Sequence, residues 1–232
     1  MGAITGLPGY RTAVDYTPRR VRKSSQGANY LEGGAVIDGT RSGDAGNTSY
    51  VDVLRPGKIM AKRSSGGKYR NYIIGKTTAS YTGTGTVTSL TVGAATATEI
   101  ARLIAATGAS VTALLVGPPS AAGTVAETAI TISAASGTTL TIADLAVDKV
   151  TDSLIVVDDT VAGSLCIVDD DDFVKCSDEL GNRIDQPFAR PLIGGNLDTS
   201  QIIDWPADTS TITWLKGKLN AAGSNSFFRF DE

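Results

Sequence analysis

Between Val53 and Gly75 the chain reads VLRPGKIMAKRSSGGKYRNYIIG. Pro56-Gly57 marks a turn, KIMAK is a short strand, Ser64–Gly67 has the composition of a hairpin loop, and KYRNYIIG is the return strand. The segment reads as strand, turn, strand. In the return strand Tyr69 and Ile73 are expected on one face, and Arg70, Tyr72 and Ile74 on the other. The hairpin and the residue just past it carry Arg55, Lys58, Lys62, Arg63, Lys68, Arg70 and Lys76, with no carboxylate among them.

That charge is part of a wider asymmetry. Residues 1–80 hold 13 Lys and Arg against 5 Asp and Glu, whereas residues 81–232 hold 8 against 19, giving a formal net charge of −3. A bipolar chain of this kind is expected to dock its basic part on something acidic while the acidic part faces water. The 41% hydrophobic content marks a folding sequence, and aromatics at 6% favour thin β layers over a thick aromatic core.

Residues 1–49 read as an extended N-terminal arm. Gly and Pro recur, no helical period is sustained, and Arg11, Arg19, Arg20, Arg22 and Lys23 alternate with Tyr10, Tyr16 and Tyr30. Such a segment buries too little apolar area to fold alone; it can order on a partner, with tyrosines as anchors and arginines as charge-assisted donors. Residues 81–150 form a nearly uncharged unit of order β-α-β-β-β. Its helix is expected to be capped by Thr96 or Thr98, striped by Ile100, Leu103 and Ile104, and closed by Gly108. A hairpin around Ala135-Ser136-Gly137 follows. Residues 151–232 return to strands with acidic edges, then a helix carrying Ile212, Leu215 and Leu219 that Gly223 would stop, and a tail with Phe227, Phe228 and Phe230. The domain reading is an arm (1–49), a core (50–80 with 151–232) and an inserted α/β lobe (81–150). The fold class is mainly β with minor α, or α+β.

Several chemistries are disfavoured. The absence of histidine removes Ser-His-Asp and Cys-His mechanisms and His-containing zinc sites. Asp169–Asp172 cannot converge on one ion from a strand, because successive side chains point to opposite faces, so an acidic solvated turn is expected. Gly83–Thr86 lacks the lysine of a phosphate loop and the third glycine of a dinucleotide loop. No acid/base pair stands out, which leaves a β-rich hydrolase as a minor alternative. Cys166 and Cys176 are too few for a disulfide scaffold, and a reduced pair is expected. No segment has the apolar length of a membrane span, and MGAITGLPGYR has no signal-peptide character. A chain made in a cytoplasm is expected, with no catalytic residue, metal or cofactor, and with neither nucleic acid nor membrane as a direct partner.

Two blocks resemble the tailed-bacteriophage head decoration, or capsid cement, proteins. The first is VLRPGKIMAKRSSGGKYRNY, with Leu54, Pro56, Gly57, Met60, Lys62, Gly67, Lys68, Tyr69 and Tyr72 at matching places. The second is DWPADTSTITWLKGKLNAAG, with Trp205, Pro206, Ala207 and the Leu215, Leu219, Gly223 frame. The resemblance implies a small β-barrel or β-tulip-like decoration core, here with an outward-facing inserted lobe and a long arm. It implies a homotrimer on the outer surface of the expanded head, bridging copies of the major capsid protein against internal DNA pressure. Tyr10, Arg11, Tyr16, Arg19, Arg20, Arg22, Lys23, Tyr30, Arg55, Lys58, Lys62 and Arg63 are the expected capsid contacts. Trp205, Trp214, Phe227, Phe228 and Phe230 are the expected trimer contacts. The alternative within the same structural class is a head fibre or spike that binds host glycans through the insert.

Overall fold

The computed structural model describes residues 20–24, 27–48, 50–81, 89–117, 125–143, 145, 151–169, 174–221 and 227–231. Its elements are β1 (Asn29–Tyr30), β2 (Ala35–Ile37), β3 (Val53–Leu54), β4 (Ile59–Lys62), β5 (Tyr69–Asn71), β6 (Ile73–Lys76), β7 (Ser89–Thr91), α1 (Ala94–Thr107), β8 (Val111–Gly117), β9 (Ala126–Ser136), β10 (Thr139–Ile142), β11 (Leu154–Val157), β12 (Cys166–Ile167), β13 (Val174–Lys175), β14 (Gln186–Phe188), β15 (Leu192–Asp198), α2 (Thr209–Leu219) and β16 (Phe227–Asp231). The chain is mainly β with two helices, and one of its sheets curls as a half-barrel.

The first sheet runs β1-β15-β12-β4-β5-β2-β14, with β16 parallel to β15. The second runs β6-β11-β8-β9-β10-β7, and β13 pairs with β3 apart from both. The hairpin forms as its composition dictates: β4 and β5 are antiparallel, with Met60 opposite Asn71 and Lys62 opposite Tyr69. The return strand, however, does not continue straight. Tyr72 sends its N–H to the Ile59 carbonyl of β4 (2.9 Å), and its own carbonyl accepts from Val157 on β11 (3.0 Å). One residue thus hands the chain from the first sheet to the second. The alternation of faces does not survive this break: Tyr69 enters the smaller core, with Ile37, Met60, Val168 and Phe188. Tyr72, Ile73 and Ile74 all enter the larger one, which also holds Ile100, Leu115, Ile132, Leu140 and Ile155.

Two domain boundaries take a different form from the sequence reading. The described residues between 20 and 48 are part of the body. The Val21 carbonyl accepts from Asp198 N–H (2.9 Å), Lys23 N–H donates to Asn196 (3.0 Å), and β1 continues this edge antiparallel to β15; Ile37 is fully buried. Residues 1–19 lie outside the described residues. The segment 81–150 does not stand apart either, because β7 to β10 share one sheet and one core with β6 and β11 from the two flanking blocks. β11 is buried at every position and lies between β6 and β8, and β8 turns Val111, Ala113 and Leu115 into the same core.

Gly108 closes α1 in the left-handed conformation (φ 64°), as its position suggested. The start differs: Gly93 is the N-cap and makes no side-chain cap, while Thr96 is buried inside the helix. Asp208 caps α2 by accepting from the Thr211 N–H (2.8 Å), and Leu215 and Leu219 are buried with Thr211. Ile212 is only half-buried, Asn220 is the C-cap, and Gly223 lies outside the described residues.

A candidate interface and its charge network

All of the hairpin's cations except Lys62 have carboxylate partners inside the chain. Asp44 is fully buried and accepts from Arg55 through Nε (2.6 Å), Nη2 (2.9 Å) and the backbone N–H (3.2 Å). Lys58 Nζ lies 3.6 Å from the same carboxylate and 3.8 Å from Asp204. Burial pushes the Asp44 carboxyl up, but the Arg55 hydrogen bonds and the charges of Lys58 and Arg55 outweigh it and hold it below the ordinary carboxylate value. The Arg55 guanidinium is raised in turn, chiefly by its bonds to Asp44.

A second run of charges joins the hairpin to its neighbours. Asp38 accepts from Thr40 (2.7 Å) and pairs with Arg41 (3.4 Å) and Arg63 (2.8 Å). Arg63 also reaches Asp159 (3.3 Å), which pairs with Arg70 (3.1 Å). Burial alone would raise the Asp38 carboxyl; the Thr40 hydroxyl and the two arginines bring it below its usual value. Lys68 pairs with Asp185 (2.5 Å) and Lys76 with Asp152 (2.6 Å). The hairpin's basic character therefore has a cause within the chain: its counter-charges come from the 38–44 loop and from the acidic C-terminal half. A buried carboxylate is tolerated only when paired, and these are.

The arm's end is fixed in the same way. Asp169 is fully buried, not a solvated turn residue, and accepts from Arg22 Nε (2.8 Å) and the Tyr30 hydroxyl (2.5 Å). Asp170, Asp171 and Asp172 lie outside the described residues. Arg190 stacks over the Tyr30 ring at 4.3 Å. Burial, and then the bond to Asp169, push the Tyr30 phenol up to about 12.

Among the expected capsid contacts, Arg22, Tyr30, Arg55, Lys58 and Arg63 thus serve internal pairs. Arg20 and Lys23 are exposed on the first sheet's edge, Lys62 is exposed at the end of β4, and Tyr10, Arg11, Tyr16 and Arg19 lie outside the described residues. Of the expected trimer contacts, Trp205 meets Phe230 (centroids 5.7 Å apart) and Phe228 is buried and meets Phe230 at 6.5 Å. Trp214 donates Nε1–H to Glu127 (2.8 Å), and Phe227 is 62% exposed. The side chain of Asn220 satisfies both backbone groups of Phe228, donating to its carbonyl (2.9 Å) and accepting from its N–H (2.7 Å). Asn220→Ala is expected to destabilise by about 1–3 kcal/mol in chemical denaturation, by leaving those two groups unpaired on β16. A loss within error of zero would mean that water replaces the amide at no cost.

Sequence reasoning missed a groove of about 640 Å³ beside the hairpin. Val36 of β2, Val161 and Ile193 are among its apolar lining residues, and Gly66, Gly67, Lys62 and Lys68 line it from the hairpin. The signal available was the Val161-Ala162-Gly163 run, which has little to bury on its own.

Cys166 and Cys176 are free thiols buried in the smaller core. Burial drives the Cys166 thiol well above its usual value and the Cys176 thiol up to about 12, so neither is a ready nucleophile. Among the described residues no three His, Cys, Asp or Glu side chains group as metal ligands would, and no helix is long and apolar enough to cross a membrane. No family model, no curated protein and no solved structure matches this chain.

Proposed function

We propose that this chain is a capsid decoration protein of a tailed phage. It binds the outside of the expanded head as a homotrimer, bridges copies of the major capsid protein and has no enzymatic role. The observation that carries the reading is the meeting of the two blocks on which the family resemblance rests. Gly57 of the first block donates its N–H to Val168 (2.8 Å), and its carbonyl accepts from Ile203 (3.0 Å) at the threshold of the second. Lys58 reaches Asp204, and Lys76 donates to the Trp205 carbonyl (3.1 Å). Segments so far apart in sequence form one structural unit, as a shared structural core would require. The lack of histidine and the inert, buried thiols favour a structural role over a catalytic one.

On this reading the shell contact falls to the basic residues up to Arg20, together with Lys62, since the other hairpin cations are engaged internally. The body from Arg22 onward is a scaffold held by its own ion pairs. Deleting residues 1–19 is expected to abolish co-sedimentation with expanded empty heads of the encoding phage and to leave the thermal unfolding midpoint unchanged. Undiminished co-sedimentation of the truncated chain would remove the arm from the account. Failure of the full chain to sediment with those heads would remove the function.

A further inference from the structure

The hairpin and the 38–44 loop bring three arginines together. Arg41 follows β2, Arg63 follows β4 and Arg70 lies on β5. Two carboxylates link them in a row. Asp38 Oδ2 accepts from Arg41 Nη1 (3.4 Å) and from Arg63 Nη1 (2.8 Å). Asp159 Oδ2 accepts from Arg63 Nε (3.3 Å) and from Arg70 Nη1 (3.2 Å). Each neighbouring pair of guanidinia therefore stands across a single oxygen atom, and the row holds three cations against two anions. The adjoining Arg102 pairs with Glu99 and donates to the Thr40 carbonyl (2.6 Å), so it brings no anion to spare. Asp158 is exposed and makes no ion pair with the three arginines.

Arg70 is the member whose charge is least answered. Its side chain is 8% exposed, and its Nε is buried without a hydrogen-bond partner among the described residues. Its Nη1 is committed to Asp159, which is itself 35% exposed and so shares its charge with water. Burial lowers the Arg70 guanidinium, the charge and hydrogen bond of Asp159 oppose that, and Arg41 and Arg63 lower it further, with a net fall. A buried cation is stable only when fully paired, and here one carboxylate does not cover the cost. At the rim, Arg41 is 30% exposed, and its 3.4 Å bond to Asp38 is the longest in the row. We infer that Arg41, Arg63 and Arg70 hold a small oxyanion of the phosphate or sulfate class. Planar guanidinium forks match the oxygens of such an ion, which a spherical halide does not offer. The depth of Arg63 and Arg70, 16% and 8% exposed, suits a free ion better than a carboxylate presented on another protein's surface. The ion takes up the surplus charge and ties the 38–44 loop to the hairpin. This site is independent of the shell reading.

The experiment is calorimetric titration of the full chain with sodium phosphate at neutral pH and constant ionic strength, with thermal unfolding in the same solutions. The wild-type chain is expected to saturate at one ion per chain. Its midpoint should rise by about 3–6 °C once phosphate is roughly tenfold above its Kd. Sulfate is expected to act like phosphate, and chloride to do nothing. Arg41→Gln is expected to bind about tenfold or more weakly, as loss of a charged hydrogen-bond donor implies. Arg229→Gln removes the same charge from β16 and is expected to bind as the wild type does. Should circular dichroism show Arg41→Gln unfolded, Arg41→Lys replaces it; that variant keeps the charge, loses the fork and is expected to weaken binding in the same direction. A midpoint that climbs without saturating, or equally in both charge variants, would be general exclusion of the salt from the surface and overturns the site. Absence of both heat and midpoint shift in the wild type overturns it as well, while co-sedimentation with heads still decides the function separately.

Discussion

Replacing Asp44 by Asn is expected to lower the unfolding free energy by about 3–5 kcal/mol, as measured by urea denaturation at neutral pH. The mechanism is the stranding of two cations. Arg55 and Lys58 are committed to a carboxylate that has no solvent exposure, and Asn supplies the shape without the charge. The same carboxylate sets an acid limb. Its folded pKa lies below the ordinary value, as does that of Asp38, so both contribute stability that is complete above the unfolded carboxylate value of about 3.9. That stability is lost as pH falls through the lower folded values. The gap between wild type and variant should therefore close progressively below about pH 4. A loss of under about 1 kcal/mol at neutral pH would place the pair in the class of solvent-exposed ion pairs and contradict its role as a strut.

Replacing Gly57 by Ala is the second large effect, expected at about 3–5 kcal/mol, from backbone strain together with overpacking. Gly57 sits at φ 90°, a conformation that side chains resist, and a Cβ there would collide with the Gln201 carbonyl oxygen. Both of its backbone groups are used, the N–H toward Val168 and the carbonyl by Ile203. The substitution therefore pries apart the two blocks that support the functional reading. A chain whose denaturation midpoint is unchanged by Gly57→Ala would show that the turn and the 201–205 segment are not mechanically joined.

The elements legible in the sequence are those fixed by local chemistry. The Ser64–Gly67 loop and the Gly137 turn join strands that pair next to each other, so composition and alternation suffice for β4–β5 and β9–β10. The left-handed stop at Gly108 is likewise a property of a few residues. What was not legible depends on distance along the chain. Arg22 finds Asp169, Arg70 finds Asp159 and Lys68 finds Asp185, and no spacing rule announces such pairs. The excess of positive charge in residues 1–80 pointed outward to a partner because its sequence neighbourhood holds few carboxylates. Folding brings Asp152, Asp159, Asp169, Asp185 and Asp204 to Arg22 and to the hairpin's cations other than Arg55 and Lys62. The crossing at Tyr72 is hidden for a related reason: KYRNYIIG reads as one strand, and only the positions of β4 and β11 divide it between two sheets. Of the candidate interface, the cationic hairpin was visible, whereas the groove is assembled from four separate stretches of chain.

The most direct measurement of the central claim is a cryo-electron microscopy reconstruction of the mature head of the encoding phage. The account predicts density for the body, residues 20 to 231, on the outer surface, with three copies around each occupied threefold or quasi-threefold position and the N-terminal residues running onto the shell. An outer surface bare of this chain, in particles known by mass spectrometry to contain it, would contradict the account.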